Sequence, residues 1–133
     1  MPGYSGTPLA KKLGIKPGLR VSFVDMPADV RAELKGAIEH CKINRGGKLP
    51  HDFVLWFAKS KADLDDFDFV SSLLAPAGMI WASWPKKSSG VSTDLNEDVV
   101  REIGLAAGLV DVKVCAITDI WSGLKFVRRL KDR

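Results

Sequence analysis

The chain has 133 residues and a formal net charge of +4; 46% of its residues are apolar and 27% are charged. This composition is typical of one soluble globular domain, which we expect to span residues 1–133. No stretch approaches the ~20 apolar residues of a membrane helix, and the first residues lack the apolar core of a secretory signal. These features exclude an integral membrane protein and favour a cytoplasmic one.

The two cysteines, Cys41 and Cys115, lie far apart, and neither belongs to a CxxC or Cys/His cluster. This spacing indicates neither a disulfide framework nor a zinc site, and we expect no metal. Cys115 lies in the apolar run VKVCAI and is predicted to be a small core residue.

The chain opens with a lead-in segment, residues 1–18, that is rich in glycine and proline. A short helix is predicted over Pro8 to Leu13, with Thr7 as its N-cap and Gly14 at its end. Residues 19–24 follow, and their β-branched and aromatic side chains predict a first strand.

The middle of the chain alternates helical periodicity with short apolar runs. Pro27 to about Cys41 carries apolar residues at helical spacing and predicts an amphipathic helix. Residues 53–58, FVLWFA, have no polar position, which is typical of a strand buried on both faces of a parallel sheet. Ser60, with Asp63 three residues on, is predicted to cap the next helix. The inner face of that helix would be Leu64, Phe67, Val70, Leu73 and Leu74.

The second half continues with a buried strand at residues 79–84 and a helix that begins near Asp94 and ends at Gly108. Two further strands are predicted at residues 112–118 and 124–129. Only the short segment DIWSG joins these two strands, so they must be antiparallel if they pair. The alternation predicts a three-layer α/β fold of the Rossmann-like kind, mostly parallel, with a C-terminal antiparallel strand.

The sequence from FVLWF to LLAPAGMIWASWPK resembles the second half of a class I methyltransferase-like Rossmann fold. In that fold a buried strand, a helix, an L-x-P-x-G turn and another strand recur, and the sheet ends in an antiparallel strand. The same resemblance implies a glycine-rich loop after the first strand and an acidic residue after the second, which hold the cofactor. Here the first strand runs into VSFVDMPADV, with no glycine between Val21 and Lys35. We therefore expect no cofactor and no S-adenosylmethionine-dependent methyltransferase activity.

Most of the chain also resembles a bacterial family known as domain of unknown function 3052. The residues that carry this resemblance are YSGTPLAKKLGIKPG, WPKKSSGVSTDLNEDVVREIGLAAGLVDVKVCAI and WSGLKFVRR. The resemblance implies a fold and a bacterial intracellular setting, and it implies no catalytic residues.

The loop from Pro85 to Thr93 is the first candidate for a functional site. It follows a central strand, and ligands of open α/β sheets bind outside the carboxyl ends of the strands. Its amides, hydroxyls and two ammonium groups favour a phosphate or carboxylate at the amino end of the next helix. The alternative is that Asp94 caps that helix and the lysines are solvated. The loop candidates are Trp84, Lys86, Lys87, Ser88, Ser89 and Thr93.

Three further candidates are expected at the same edge of the sheet. Asp25 ends the first strand, where it would be a general base or a ribose ligand, or else the cap of the following helix. Ser60 is placed beside it by the order of the strands. Trp121, like Trp84, stands beside a polar loop and would stack on a ligand or pack beneath the loop. His40 and His51 lie in no pattern of a catalytic triad, and the sequence identifies no catalytic residue.

These residues favour a non-catalytic binding or regulatory module that recognises an anionic small molecule or partner at the carboxyl edge of the sheet. Two alternatives stay open. One is an enzyme of unknown reaction with Asp25, Ser60 and Lys86 at that edge. The other, less favoured, is weak nucleic-acid binding through basic residues near both ends of the chain.

Overall fold

One six-stranded sheet organises the residues that the computed structural model describes, which are 8–44 and 50–133. Three short 3-10 turns, Lys61–Leu64, Lys87–Ser89 and Leu130–Asp132, lie between or after the main elements. The helices and strands in chain order are α1 (Leu9–Leu13), β1 (Arg20–Val24), α2 (Ala28–Ile38), β2 (Lys42–Ile43), β3 (His51–Phe57), α3 (Phe67–Ser72), β4 (Leu74–Pro85), α4 (Glu97–Ala106), β5 (Leu109–Ala116) and β6 (Trp121–Arg128).

The strand order is β2-β1-β3-β4-β6-β5. Strands β2, β1, β3 and β4 are parallel to one another, and β6 is antiparallel to both of its neighbours. This arrangement confirms the predicted α/β fold, mostly parallel with an antiparallel strand near the C-terminus. Because parallel strands end at the same edge, β1, β3 and β4 meet at one carboxyl edge, where β6 begins opposite Pro85.

Two apolar layers cover the sheet, one on each face. On one face Leu13 of α1 and Leu34 of α2 pack with Phe53 and Trp81 of the sheet. The other face packs residues of α3 and α4, such as Phe67 and Val100, against Val54, Ile80 and Phe126. The predicted three-layer arrangement is therefore confirmed.

Two tryptophans that the sequence places in the core are buried as predicted. Trp56 and Trp81 are 3% and 0% exposed. The indole of Trp81 donates a 2.8 Å hydrogen bond to the carbonyl oxygen of Leu13, which ties the end of α1 to the centre of the sheet. Cys115 is half-buried and packs against the same apolar layer.

The segment after β3 is the largest departure from the predicted elements. In place of one long helix from Ser60, it forms a 3-10 turn and then the six-residue α3. Asp63, Asp65, Asp66 and Asp68 crowd this stretch, and aspartate side chains compete with the helix for backbone hydrogen bonds. Leu74, predicted on the helix, instead begins β4 and pairs with His51.

Several boundaries also differ. Helix α2 ends at Ile38, and the two residues after Cys41 form β2, an edge strand that the sequence did not predict. Both final strands begin three residues before their predicted starts. For β5 the reason is left-handed Gly108 (φ 88°), which leads directly from the helix into the strand. Gly14 ends α1 as predicted, whereas Thr7, its predicted N-cap, lies outside the described residues.

Helix α4 begins at Glu97 rather than near Asp94. Its N-cap is Asn96, whose side chain accepts a 2.9 Å hydrogen bond from the amide of Val99. Asp94 instead accepts a 2.9 Å hydrogen bond from the amide of Lys61 and so joins the loop to the 3-10 turn after β3. The amide-rich helix end is thus displaced from the position predicted for the anion site.

Candidate functional site at the carboxyl edge

A cavity of about 550 Å³ opens at the carboxyl edge of the sheet. It lies where β1 and β3 end and β6 begins. This is the edge at which ligands bind in open α/β sheets. The residues that line the cavity are Asp25, Pro27, Asp29, Phe57, Lys59, Asp63, Val91, Ile120 and Trp121.

Asp25 leaves β1 in an uncommon backbone conformation. Its φ is 52°, and it is the one non-glycine residue with a positive φ in the described residues. Helix α2 then starts after Pro27, which is its N-cap residue, and no side chain makes a capping hydrogen bond there. The alternative interpretation of Asp25 as the cap of this helix is therefore wrong. Asp25 instead lines the cavity, and strained residues of this kind cluster at functional sites.

Phe57 and Trp121 form the aromatic wall of the cavity. Their ring centroids lie 5.0 Å apart and the ring planes cross at 89°. Trp121 is only 7% exposed, so most of its indole packs beneath the site. Trp84 is also buried, but it belongs to the apolar layer on the opposite face of the sheet and does not line the cavity.

The segment after β3, which forms one wall of the cavity, is held by hydrogen bonds between its side chains and backbone. Asp63 accepts from the amides of Lys59 (2.9 Å) and Ser60 (3.3 Å). The hydroxyl of Ser60 accepts from the amide of Asp63, which confirms the predicted capping pair. Thr93 donates a 2.6 Å hydrogen bond to the carbonyl of Lys59. Ser60 and Thr93 therefore support the site from behind and do not line it.

The basic part of the Pro85–Thr93 loop lies outside the cavity. The amide of Lys86 donates to the carbonyl of Ile120 at 2.7 Å. The hydroxyl of Ser89 donates to the carbonyl of Lys86 at 2.6 Å and accepts from the amide of Val91 at 3.2 Å. Among the predicted candidates, Asp25 and Trp121 line the cavity, and Ser60, Trp84, Lys86, Lys87, Ser88, Ser89 and Thr93 do not.

The charged groups of the cavity are mostly acidic. Asp25, Asp29 and Asp63 supply three carboxylates, and Lys59 supplies the one ammonium group of the lining. Such a lining attracts hydrogen-bond donors and positive charge, and it repels an anion. The three carboxylates are not grouped as a metal site would require, since the described residues hold no cluster of acidic, histidine or cysteine side chains able to bind a metal ion.

The structure also brings together a polar group that the sequence does not reveal. The hydroxyl of Ser22 lies 2.9 Å from Nδ1 of His51, and the side-chain amide of Asn44 lies 3.1 Å from the same nitrogen. Burial lowers the pKa of His51, and the positive charge of Arg20 lowers it further. No spacing rule could have found this group, because Ser22 and His51 meet through the pairing of β1 with β3.

The polar group around His51 lines a separate groove on the face of the sheet, where Phe69 is 64% exposed. Asp52, the next residue, accepts hydrogen bonds of 2.9 Å from Nε and Nη2 of Arg20. None of these residues lines the carboxyl-edge cavity.

In the described ranges, every helix is too short or too polar to cross a bilayer.

The chain is similar in fold to solved structures, several of which are described as methyltransferases. The chain is similar to a SAM dependent methyltransferase from Aquifex aeolicus, with 13% identity, a TM-score of 0.60, and coverage of 89% of this chain and 86% of that one. It is also similar to magnesium protoporphyrin IX methyltransferase from Synechocystis PCC 6803 with bound SAH, with 13% identity, a TM-score of 0.59, and coverage of 90% of this chain and 78% of that one. Aeropyrum pernix fibrillarin in complex with natively bound S-adenosyl-L-methionine is similar with 12% identity, a TM-score of 0.54, and coverage of 94% of this chain and 70% of that one.

Identities this low show the fold alone, and that fold is the methyltransferase-like Rossmann sheet. No curated protein matches the sequence. The family match covers residues 10–130, nearly the whole chain. The chain belongs to the family described as protein of unknown function DUF3052.

Proposed function

We propose that the protein is a non-catalytic binding or regulatory module that takes a small molecule in the carboxyl-edge cavity. The observation that carries the proposal is Asp25, which holds a φ of 52° where β1 ends and lines the cavity. A strained acidic residue in a partly apolar cavity is a feature that folding alone does not require. The lining contains no serine, cysteine or histidine, so a nucleophile in the cavity would have to be a carboxylate or the amine of Lys59.

The lining favours a ligand with two unlike parts. Asp25 and Asp29 favour an amine or hydroxyl groups, which donate hydrogen bonds to carboxylates. Phe57 and Trp121 offer an apolar wall for a flat ring. A ring-bearing amine combines both parts, and we assign this chemical class to the cavity.

S-adenosylmethionine, which some structures of this fold contain, does not fit the residues present. Where the fold's methyltransferases place glycines, the turn after β1 has Asp25, Met26 and Pro27. Pro27 has no amide hydrogen to donate, and its ring lines the cavity. After β2 stands Asn44 rather than an acidic residue. We therefore derive no methyl-transfer step for this chain.

The anionic ligand predicted from the sequence remains a separate proposal for Lys86, Lys87 and Ser88. Two ammonium groups beside a short turn support it. Against it, the first turn of α4 already carries Glu97 and Asp98, which interact favourably with the same helix end. An anion bound there would lie outside the cavity.

A thermal-shift comparison tests the cavity with tryptamine as the probe, since tryptamine joins a flat ring to a primary amine. We expect tryptamine to raise the melting temperature of the wild-type protein and Asp25→Asn to remove most of the increase. Asp119→Asn, an exposed acid outside the lining, is the control and should keep it. An equal tryptamine effect in all three proteins would reject the cavity as the site.

A further inference from the structure

Two lysines lie directly opposite each other in the sheet. Lys113 of β5 pairs with Lys125 of β6, and Lys125 in turn pairs with Trp81 of β4. Like charges at directly opposed positions destabilise a sheet. Lys125 is also half-buried, so less water is available to screen the repulsion.

The end of α1 lies over this row of side chains. Trp81 donates its indole hydrogen to the carbonyl of Leu13, and Nζ of Lys113 donates a 3.3 Å hydrogen bond to the carbonyl of Lys12. Lys16 follows shortly after the same helix. The ammonium groups of Lys113 and Lys16 both lower the pKa of Lys125, after burial, which is the larger cause. Lysines from the start and the end of the chain thus converge at one place.

We propose that Lys16, Lys113 and Lys125 bind a phosphate group on the α1 side of the sheet. A bound phosphate would neutralise the repulsion between the opposed lysines and accept charge-assisted hydrogen bonds from them. One carbonyl, that of Lys12, already receives Lys113, but an ammonium group has three hydrogens and can donate again. The site is on a helix-covered face of the sheet and is independent of the carboxyl-edge cavity, so it goes beyond the proposed function.

The opposed lysines of the sheet differ from the lysines of the Pro85–Thr93 loop in how they are positioned. Lys113 and Lys125 occupy opposed strand positions, and the hydrogen bond from Nζ of Lys113 to the carbonyl of Lys12 places that ammonium group beside the end of α1. Lys87 and Lys113 are both exposed, but Lys87 lies in a 3-10 turn of the loop and not opposite another lysine in the sheet. Cations that neighbouring elements place close to one another raise the local positive potential, which attracts an anion.

The test measures stabilisation by sodium pyrophosphate at constant ionic strength, followed by the melting temperature. We expect pyrophosphate to stabilise the wild-type protein. The double variant Lys113→Gln, Lys125→Gln removes both charges and keeps two of the four methylene groups of each side chain, and its apparent affinity should fall about tenfold or more. Without pyrophosphate this variant should melt at the wild-type temperature or above it, because the repulsion is gone. The control, Lys86→Ala with Lys87→Ala, should bind as the wild type does.

A single-stranded oligonucleotide, run in parallel, identifies the source of the phosphate group. Tighter binding of the oligonucleotide than of pyrophosphate, lost in the same double variant, would assign the site to nucleic acid. Loss of the pyrophosphate effect in the Lys86 and Lys87 control alone would overturn the proposal in favour of the loop. If the double variant does not fold, a measurement on the wild-type protein replaces it. The pKa of Lys125, followed by NMR, should rise when pyrophosphate saturates the wild-type protein. An unchanged pKa would also overturn it.

Discussion

At the scale of single residues, the site depends on the conformation of Asp25. The sequence placed this residue at the end of β1 and at the edge of the sheet, as it placed Trp121. It gave no sign of the positive φ, because aspartate adopts the left-handed region only where the surrounding chain requires it. The Ser22–His51 contact was equally hidden, since it depends on a strand register that brings together two residues 29 positions apart in sequence.

Three substitutions separate the effect of the backbone conformation of Asp25 on stability from the effect of its charge. Asparagine and glycine tolerate the left-handed region, so Asp25→Asn and Asp25→Gly should change the free energy of unfolding little. Asp25→Ala should lower it by about 1 kcal/mol, because an ordinary side chain is strained there. Urea denaturation measures all three. If alanine costs no more than asparagine, the backbone at residue 25 is not strained.

His51 predicts a pH dependence of stability. Its folded-state pKa is lowered, mainly by burial, whereas the unfolded chain has a pKa of about 6.5. Above this value both states are neutral and His51 contributes no slope. As pH falls below it, the unfolded state takes up a proton first, so stability should fall.

Unfolding of the wild type and His51→Gln at pH 7.5 and 5.5 measures this slope. The variant should lose less stability than the wild type over this interval. Arg20 and Asp52, the charged groups that act on His51, are present in both proteins. Equal losses in the two proteins would show that the folded-state pKa of His51 is normal.

At the scale of elements, hydrophobic periodicity predicted the long strands and both main helices. It did not predict the break between residues 60 and 74, where local aspartates interrupt an apolar pattern that suits a helix. It also missed β2, because two exposed residues carry no periodicity, and their pairing with β1 alone defines them as a strand. Packing between elements, such as the contact of Gly104 with Phe126, is likewise absent from any local pattern.

Two glycine substitutions test the packing of helices on the sheet. Glycine to alanine in a helix usually stabilises by up to ~1 kcal/mol, and Gly36→Ala in α2 should do so, because beyond the adjacent residues and the nearby backbone of α2 no atom lies within 4 Å of the added methyl group. Gly104→Ala in α4 should instead destabilise by about 1–3 kcal/mol, since its methyl group would overlap the buried ring of Phe126. Thermal unfolding of both variants is the measurement. The same sign for both would mean that α4 does not pack on β6 as described.

At the scale of the whole molecule, the fold must be separated from the chemistry of the methyltransferases that share it. The sheet is that of methyltransferases, but the turn after β1 has a proline where the cofactor would require close backbone amides. We predict that S-adenosylmethionine does not bind at physiological concentrations. Isothermal titration calorimetry should show no saturable heat. A dissociation constant near the micromolar range would show that another part of the cavity replaces the glycine loop.

The sequence predicted the edge of the sheet at which the cavity lies but not the sign of the charge in its lining. The carboxyl edge follows from the strand order, which the alternation of helices and strands defines. The charge of the cavity depends on side-chain positions of Asp29 and Asp63, which lie in the turns after β1 and β3 and which no motif marks. Lys86 and Lys87, predicted as the anion site, lie on a part of the loop that is outside the cavity.

Backbone amide chemical shifts, recorded while tryptamine and then pyrophosphate are added to separate samples, test the account most directly. Tryptamine should shift the amides of Asp25, Phe57, Lys59 and Trp121 at the cavity. Pyrophosphate should leave these unchanged and shift those of Lys16, Lys113 and Lys125. The account is contradicted if tryptamine shifts none of the cavity amides, or if pyrophosphate acts on the cavity itself.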